Sequence, residues 1–539
     1  MTVEKSALPL VTPAVGSEPA NFWEIMHATA RANGHRTAVI SGDESLTYSV
    51  LLDRSLRLAG ALAGLGLRPG DAVGTLGENT IASPEQIVGL ALAGFVRVSL
   101  YAHESIETNA YLANFVGIRA LIVHERHLAV LERIHRACPE LKWIIVWRAV
   151  RGQYQEAAKF DYEALVADAE PLSVPPQLDV DHTHIVRFSG GTTGRPKGIY
   201  HTVKRWICAC LEFERAFPTL SPEDTYLVVG QLTHASIIPF WSMLRAGAKI
   251  VLTDSFDAAR TLRLIEEHHA TFSVMVPTMI ADLVNSPLIE KFDLSSLRAI
   301  HYGAAPISEA TLKAAISCFG HALFQAYAQS EAWPVSVLTP EDHAAGGKRL
   351  RSVGKSTPNT QVVAVDGNGE PLPPGQVGEL AVRAQGMMSG YWNDPEGLAR
   401  KLTPDGALLS GDVGYVDEDG YIFLVNRKND LIISGGYNIW PAELEVVIER
   451  HPAVREVCVF GVPHPRWGET PMAAVVLEPE GSASEEELIA LTREQLGAVK
   501  KATAVVFLDE LPRNALGKIL RNELRQPYWE GRNAQIAGS

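Results

Sequence analysis

The chain has no surplus of positive charge. Its formal net charge is −14 over 539 residues, whereas a protein that neutralises a phosphate backbone ordinarily has the opposite sign. Nucleic acid is therefore not an expected partner, although a basic pocket for a small anion can exist inside an acidic whole. Cysteine is scarce: five residues, at 138, 208, 210, 318 and 458, with no paired metal-ligand spacing. Cys208 and Cys210, one residue apart in a helical-looking run, read as small buried side chains before they read as a redox pair. A reducing, cytoplasmic location fits this usage. No uninterrupted apolar run approaches the ~20 residues that span a bilayer. The first residues lack a charged region leading into an apolar core, and the last match no retention or peroxisomal address. Repeats of fixed period, a GxxxxGK[ST] motif and a serine-centred carrier attachment site are all missing.

What is present is ordinary globular composition, with 46% apolar and 20% charged residues. The length exceeds what one hydrophobic core supports, so at least two domains are expected. Asn21 can cap a helix with Glu24 three residues on, and a second helix runs from about Ser49 to the Gly64–Gly70 region. Short apolar runs at Ala120–Val123, Trp143–Trp147, Tyr226–Val229, Lys249–Leu252 and Phe272–Val276 alternate with helical patterns. That alternation predicts a layered α/β domain with largely parallel strands. From about Arg351 the texture turns to strands joined by Gly, Pro and Asp turns, at Gln361–Asp366, Gly378–Arg383 and Tyr421–Val425. After Arg427 comes a unit of ~100 residues with helices at Pro441–Arg450 and Ser484–Leu496 and strands between and after, enough to fold alone. The expected fold is thus α/β. A large N-terminal domain of layered subdomains plus a β-rich subdomain (1–427) precedes a small mobile C-terminal α+β domain (428–539).

The most informative stretch is Phe188-Ser189-Gly190-Gly191-Thr192-Thr193-Gly194-Arg195-Pro196-Lys197-Gly198. A strand runs into small residues with hydroxyls, and a helix follows from about Thr202. Glycines let a backbone wrap an anion, hydroxyls donate to phosphate oxygens, and Lys197 adds charge. A glycine-rich surface turn is the plain alternative. The stretch resembles the phosphate loop of the adenylate-forming superfamily, which includes acyl-CoA synthetases, peptide-synthetase adenylation domains and luciferases. Further matching segments follow in the same order over nearly the whole chain.

The resemblance implies a role for each matching position. Ser189, Gly190, Gly191, Thr192, Thr193, Gly194 and Lys197 would hold the phosphates of ATP. Gly303, Ala304 and Ala305, in Tyr302-Gly303-Ala304-Ala305-Pro306, would lie against adenine. In Gln325-Ala326-Tyr327-Ala328-Gln329-Ser330-Glu331, Tyr327 would stack on adenine, Ser330 would contact phosphate and Glu331 would hold Mg²⁺. Asp412, in Ser410-Gly411-Asp412, and Arg427 would take the ribose hydroxyls. Asn429 stands at the hinge position, where relatives usually have Asp or Lys, and Asn tolerates the unusual backbone angles a hinge requires. Ser434–Asn438 matches a glycine-bearing segment that lines the thiol tunnel, or is an ordinary hairpin turn. Lys518, in Leu511-Pro512-Arg513-Asn514-Ala515-Leu516-Gly517-Lys518, would be the catalytic lysine. His234, after Gln231-Leu232-Thr233, matches the residue near the substrate carboxylate, with a hydrogen-bonded core histidine as the alternative.

The implied reaction activates a carboxylic acid as its acyl-adenylate with release of pyrophosphate, then passes the acyl group to coenzyme A. An amide synthetase, with an amine attacking the same adenylate, is the alternative. A degenerate nucleotide sensor is disfavoured because the loop hydroxyls, Glu331 and Lys518 are all present. Tyr302, Ala328 (where relatives have Gly), Trp333 and His234 are the candidate acid-pocket residues. Their bulk, with Phe240 and Trp241 nearby in sequence, points to a compact cyclic or aromatic acid.

Overall fold

The computed structural model describes residues 21–102, 104–148, 159–179, 181–189, 196–305, 307, 309–427, 430, 432–434, 437–464, 467–513 and 519–530. The apolar runs read from the sequence are strands of two large sheets. Ala120–His124 is buried at every position, because it lies between Ala72–Leu76 and Trp143–Trp147 with both of its faces covered. That is why it reads as a continuous apolar run and not as an alternation. The first sheet has nine strands, in the order Lys355–Ser356, Ala332–Leu338, Leu323–Gln329, Ala299–Gly303, Phe272–Met275, Thr225–Val228, Lys249–Leu252, Thr37–Ser41 and Glu44–Thr47. The second has eight, in the order Gly390–Tyr391, Lys197–Thr202, Thr183–Ser189, Val96–Ser99, Ala72–Leu76, Ala120–His124, Trp143–Trp147 and Lys159–Asp161. The interiors are parallel and the edges antiparallel, except that the edge strand Lys159–Asp161 pairs in parallel with Trp143–Trp147.

One core lies between the two sheets. It joins Val39, Tyr226 and Ile250 of the first to Val73, Ile122 and Ile185 of the second through the helices Phe22–Asn33, Tyr48–Gly64, Ala82–Leu92, Val203–Ala216 and Phe240–Ala246. Separate cores back the outer faces. The capping logic read from the sequence holds locally: Asn21 Oδ1 accepts from Glu24 N at 2.9 Å, and Thr202 caps the helix that follows the phosphate-loop strands. The strands at Thr360–Val365, Gly378–Ala384, Leu408–Val416 and Ile422–Arg427 form the expected β-rich unit, an antiparallel sheet of four. Beyond it, helices Pro441–Ile448 and Glu485–Lys500 pack on a sheet whose longest pair is Val454–His464 with Gly468–Leu477.

Of the strands that did not stand out in the sequence, two bear on the site. Lys197–Thr202 turns back antiparallel on Thr183–Ser189, so both ends of the glycine-rich loop are anchored in one hairpin. Ala332–Leu338 pairs antiparallel with Leu323–Gln329, and Gln329 and Ala332 are its last paired residues, which places Glu331 in the connecting turn.

Three interior histidines are held neutral. Burial pushes His201 down to about 3 and His301 down to about 4, and it lowers His184 well below the ordinary value, with the arginines nearby adding to the shift at His201 and His184. Unfolded histidine titrates near 6.5, so between that pH and about 4 the unfolded chain binds more protons than the folded one. Stability from these groups is whole above pH 7 and falls as the pH drops, by up to about 1.4 kcal/mol per pH unit for each histidine. Apparent melting temperatures at pH 7.5, 6.0 and 5.0 should decline in that order, and His301→Phe should flatten the decline.

The β-rich unit is tied to the inter-sheet layer by Glu212, 5% exposed. Its carboxylate accepts from the Asn359 backbone N at 2.6 Å and from Asn359 Nδ2 at 2.8 Å. Glu212→Ala should cost about 1–3 kcal/mol, since it takes the charged acceptor from both donors of the half-buried Asn359. Chemical denaturation of the variant beside wild type measures it.

Candidate active site

The candidate site lies where the C-terminal ends of the first sheet's strands meet the hairpin of the second. The strand Ala299–Gly303 ends beside Leu323–Gln329, and a Cβ on Gly303 would fall 2.2 Å from the Ala326 carbonyl oxygen. Only glycine allows that approach. The chain then turns through Ala304 at φ +68°, a left-handed conformation that costs an alanine about 1 kcal/mol. Strain of this kind is concentrated at functional positions.

Asp412, 7% exposed on the strand Leu408–Val416, is the polar centre. Its Oδ2 accepts from the Tyr327 hydroxyl at 2.6 Å and from Gln329 Nε2 at 2.5 Å, and the same Gln329 nitrogen lies 3.1 Å from the Ser410 carbonyl. The two residues expected at adenine and ribose are thus directly bonded, although 85 residues separate them. Glu331, in its turn, is fixed by its carbonyl, which accepts from Met388 N at 2.7 Å, and by its carboxylate, which accepts from the Tyr391 hydroxyl at 3.2 Å. Burial, reinforced by Glu331, pushes the Tyr391 phenol above its ordinary value, so it remains a donor at neutral pH. Lys197 Nζ lies 5.4 Å from the centre of the Tyr391 ring, which brings the lysine of the glycine-rich stretch to the same place as the acidic turn.

On the other side, Tyr101 accepts from Phe188 N at 3.2 Å and donates to Phe188 O at 3.3 Å through one hydroxyl. Its ring lies 4.8 Å from that of His234. The His234 Nδ1 is 2.8 Å from Thr233 Oγ1. The loop that presents His234 is clamped by Asn79, which accepts from Leu232 N and donates to the carbonyls of Gly230 and Thr253.

The structure therefore gathers Gly303, Ala304, Tyr327, Glu331, Asp412, Lys197 and His234 about one region. Ala305, Ala328 and Ser330 lie on the same two segments, each partly exposed. Tyr302 stands apart: it is 1% exposed in the core behind the first sheet, and its hydroxyl is 2.7 Å from His343 Nε2. Trp333 is equally buried, 4.9 Å from the Trp206 ring, and Trp241 packs 4.2 Å from Phe22. Their bulk fills the inter-sheet core. Gly190, Gly191, Thr192, Thr193, Gly194, Pro306, Asn429 and Lys518 lie outside the described residues, and Ser189 and Arg427 are described only through their strands. Tyr101, Asn79, Gln329 and Tyr391 were not singled out from the sequence. Gln329 lay inside a recognised segment, whereas the other three have only spatial neighbours to mark them.

Residues 26–392 match the family model described as AMP-binding enzyme, and residues 443–518 match that of the AMP-binding enzyme C-terminal domain. Over 538 residues the chain is 34% identical to the medium/long-chain-fatty-acid–CoA ligase FadD8 of Mycobacterium tuberculosis, covering 95% of this chain and 91% of that one. Feruloyl-CoA synthase of an Amycolatopsis species is 34% identical over 510 residues, 94% of this chain and 98% of its own. Among solved structures, amide bond synthetase McbA from Marinactinospora thermotolerans superposes with a TM-score of 0.85 at 29% identity, covering 95% of this chain and 100% of that one.

Hydrogen bonds to a charged group contribute about 1.5–3 kcal/mol, and Asp412 anchors the segments that should receive a nucleotide. Asp412→Asn should therefore weaken AMP binding roughly 10- to 100-fold. Tyr327→Phe, which keeps the ring and removes one donor to Asp412, should weaken it less. Titration calorimetry with AMP ranks the two.

Proposed function

Because the chain belongs to the AMP-binding enzyme family, we propose that it activates a carboxylic acid with ATP as an acyl-adenylate and then transfers the acyl group to coenzyme A. The observation that supports this most is the Asp412 carboxylate bonded to Tyr327 and Gln329 and set beside the Glu331 turn and Lys197. That arrangement offers a ribose acceptor, an adenine wall of backbone and a phosphate end in one line.

A carboxylate is a weak electrophile, since its charge is delocalised and its leaving group would be an oxide. Its oxygen attacks the α-phosphorus of ATP, the bond to the bridging oxygen breaks, and pyrophosphate leaves. The thiol sulfur of coenzyme A then attacks the acyl carbon, and AMP departs. The first step brings two anions together, so positioning and charge neutralisation are what the protein must supply. The residues 189–197 and Lys197 would hold the phosphates, Tyr327 and the Gly303–Ala305 backbone the adenine, and Asp412 with Arg427 the ribose. His234, fixed by Thr233 and Tyr101, would face the acid's carboxylate. Lys518 would stabilise the charge shared between carboxylate and α-phosphate.

Glu331 fits Mg²⁺. The ion binds through one or two carboxylates plus phosphates, and a lone carboxylate in a turn is what the structure provides there. No group of three or more His, Cys, Asp or Glu suited to a metal occurs among the described residues. When bound, Mg²⁺ neutralises phosphate charge. The two-domain division near Arg427 suits a rotation that withdraws Lys518 after the first step and admits the acceptor. No helix among the described residues is long and apolar enough to cross a membrane. The likeness to feruloyl-CoA synthase supports a compact aromatic acid as substrate, whereas Trp333, Phe240 and Trp241, buried in the core, do not bear on it.

The likeness to an amide bond synthetase supports a second reading, in which an amine replaces the thiol. Mass spectrometry of products from enzyme, ATP, Mg²⁺, coenzyme A and a pool of acids decides between them. An acyl-CoA is the expected product. An acyl-adenylate that becomes an amide when amines are added moves the assignment to the second reading. Lys518→Ala should lower adenylate formation by about 10²–10³-fold while thioester formation from supplied acyl-adenylate persists, and full adenylation by that variant would remove Lys518 from the mechanism.

A further inference from the structure

Among the described residues, two arginines on the inner face of the second sheet have no ion-pair partner. Arg97, on Val96–Ser99, pairs in parallel register with Ile185 on Thr183–Ser189. Side chains two apart along a strand share a face, so Arg97, Ile185 and Arg187 project together toward the core between the sheets, while Val98 and Val186 enter the outer core. Arg97 is 3% exposed and Arg187 8%. Arg97 Nε and Arg187 Nη1 are buried without a hydrogen-bond partner, and among the described residues neither guanidinium has an ion pair. The aromatic face of Trp206, 5.9 Å from the Arg187 guanidinium, is the nearest compensation. Other guanidiniums withdrawn from water in this chain are matched: Arg54 with Glu85, and Arg521 with Asp430 and Glu445.

The surroundings are mostly donors and aromatic rings, with one carboxylate, Glu78, on the cavity wall beside Arg97. Burial, with the Arg187 charge adding, pushes Arg97 down to about 9, and burial lowers Arg187 as well. Both are still cationic at neutral pH. Glu331 and Tyr101 favour the Arg187 charge from a distance. His201, on the same face, is neutral and has neither ring nitrogen bonded. A cavity of about 40 Å³ opens beside Arg97, between Thr75, Asn79, Trp147 and Thr233. That exceeds the ~10–15 Å³ needed for one water. Trp147 Nε1 is a second unpartnered donor on its wall. Glu78 also lines it: its Oε1 lies 3.1 Å from His127 Nε2, and its Oε2 is buried without a hydrogen-bond partner. Thr233 precedes His234, so the cavity abuts the loop that faces the acid.

An isolated charge buried in a protein interior is among the costliest arrangements available, and it is retained where a ligand completes it. We propose that the acid carries a second carboxylate besides the one activated, and that Arg97, with Arg187 beside it, holds this group against the inner face of the second sheet. The proposal rests on the acid-activating reading and names its substrate class: a compact dicarboxylic acid. Arg97 lies two positions deeper than Arg187 relative to the glycine-rich loop, so it is the principal determinant.

The test uses the full chain, with phthalate, isophthalate, terephthalate and the C3–C8 α,ω-dicarboxylates, each beside its monomethyl ester. ATP–pyrophosphate exchange gives kcat/KM, and thermal melts report binding. Wild type should favour at least one diacid over its monoester by about 100-fold or more, because a site built for a polar group rejects the analogue lacking it. In Arg97→Met that ratio should collapse toward one, Arg97→Lys should retain part of it, and the melting temperature of Arg97→Met without acid should rise as an unpaired buried charge is removed. A set in which no diacid exceeds its monoester overturns the proposal, as does a ratio that survives in Arg97→Met. Diacids that raise the wild-type melting temperature but not that of Arg97→Met, with no exchange of pyrophosphate, would support the anion site and overturn acid activation instead.

Discussion

The Asp412 carboxylate fixes how two segments that already share a core are oriented at the site. Tyr327 and Gln329 belong to the last parallel strand of the nine-stranded sheet, and Asp412 to the antiparallel sheet that follows it. Because one oxygen accepts from both, the orientation of the ring and of the carboxylate are set by each other. The Glu331 turn begins two residues beyond Gln329, and through Tyr391 it reaches Lys197 and the hairpin of the second sheet. A disturbance at Asp412 therefore reaches Tyr327, Gln329 and the turn that carries Glu331. The interaction is buried, which strengthens it electrostatically and makes it costly to leave half-made.

Much of the fold was legible in the sequence because burial writes itself into composition. Fully covered parallel strands such as Trp143–Trp147 appear as apolar runs, and helices such as Phe22–Asn33 announce their starts through capping residues. Strand order is not written that way. Nothing local in Lys197–Thr202, a stretch of mixed polarity, says that it returns on Thr183–Ser189. The same limit applies to the site. Gln329 could be read as part of a segment, but its bond to a carboxylate 83 residues later could not. Trp333, Phe240 and Trp241 illustrate the converse: nearness in sequence to a pocket residue suggested a narrow pocket, and packing directs those rings into the core. Arg97 and Arg187 belong to no motif in the sequence; only their shared face and their lack of ion-pair partners among the described residues set them apart.

The interior histidines and the buried arginines express one constraint on opposite sides of neutrality. Each is a titratable group in a core too dry to accommodate its charge cheaply. The histidines respond by giving up the proton, as their low values require. The arginines cannot do so at physiological pH, even with Arg97 shifted. The same core thus tolerates acidification poorly.

The close approach at Gly303, where backbone meets backbone, divides the two halves of the site by the material they are made from. The expected nucleobase end is walled by main chain and by the Asp412 network, so an exchange there acts on several segments at once. The second sheet instead presents its inner face one side chain at a time, at alternate positions of two neighbouring strands. If that face holds the acid, exchanging a residue on it would alter what is recognised without moving the segments joined at Asp412. The architecture accordingly leaves one partner fixed and the other open to divergence by point mutation.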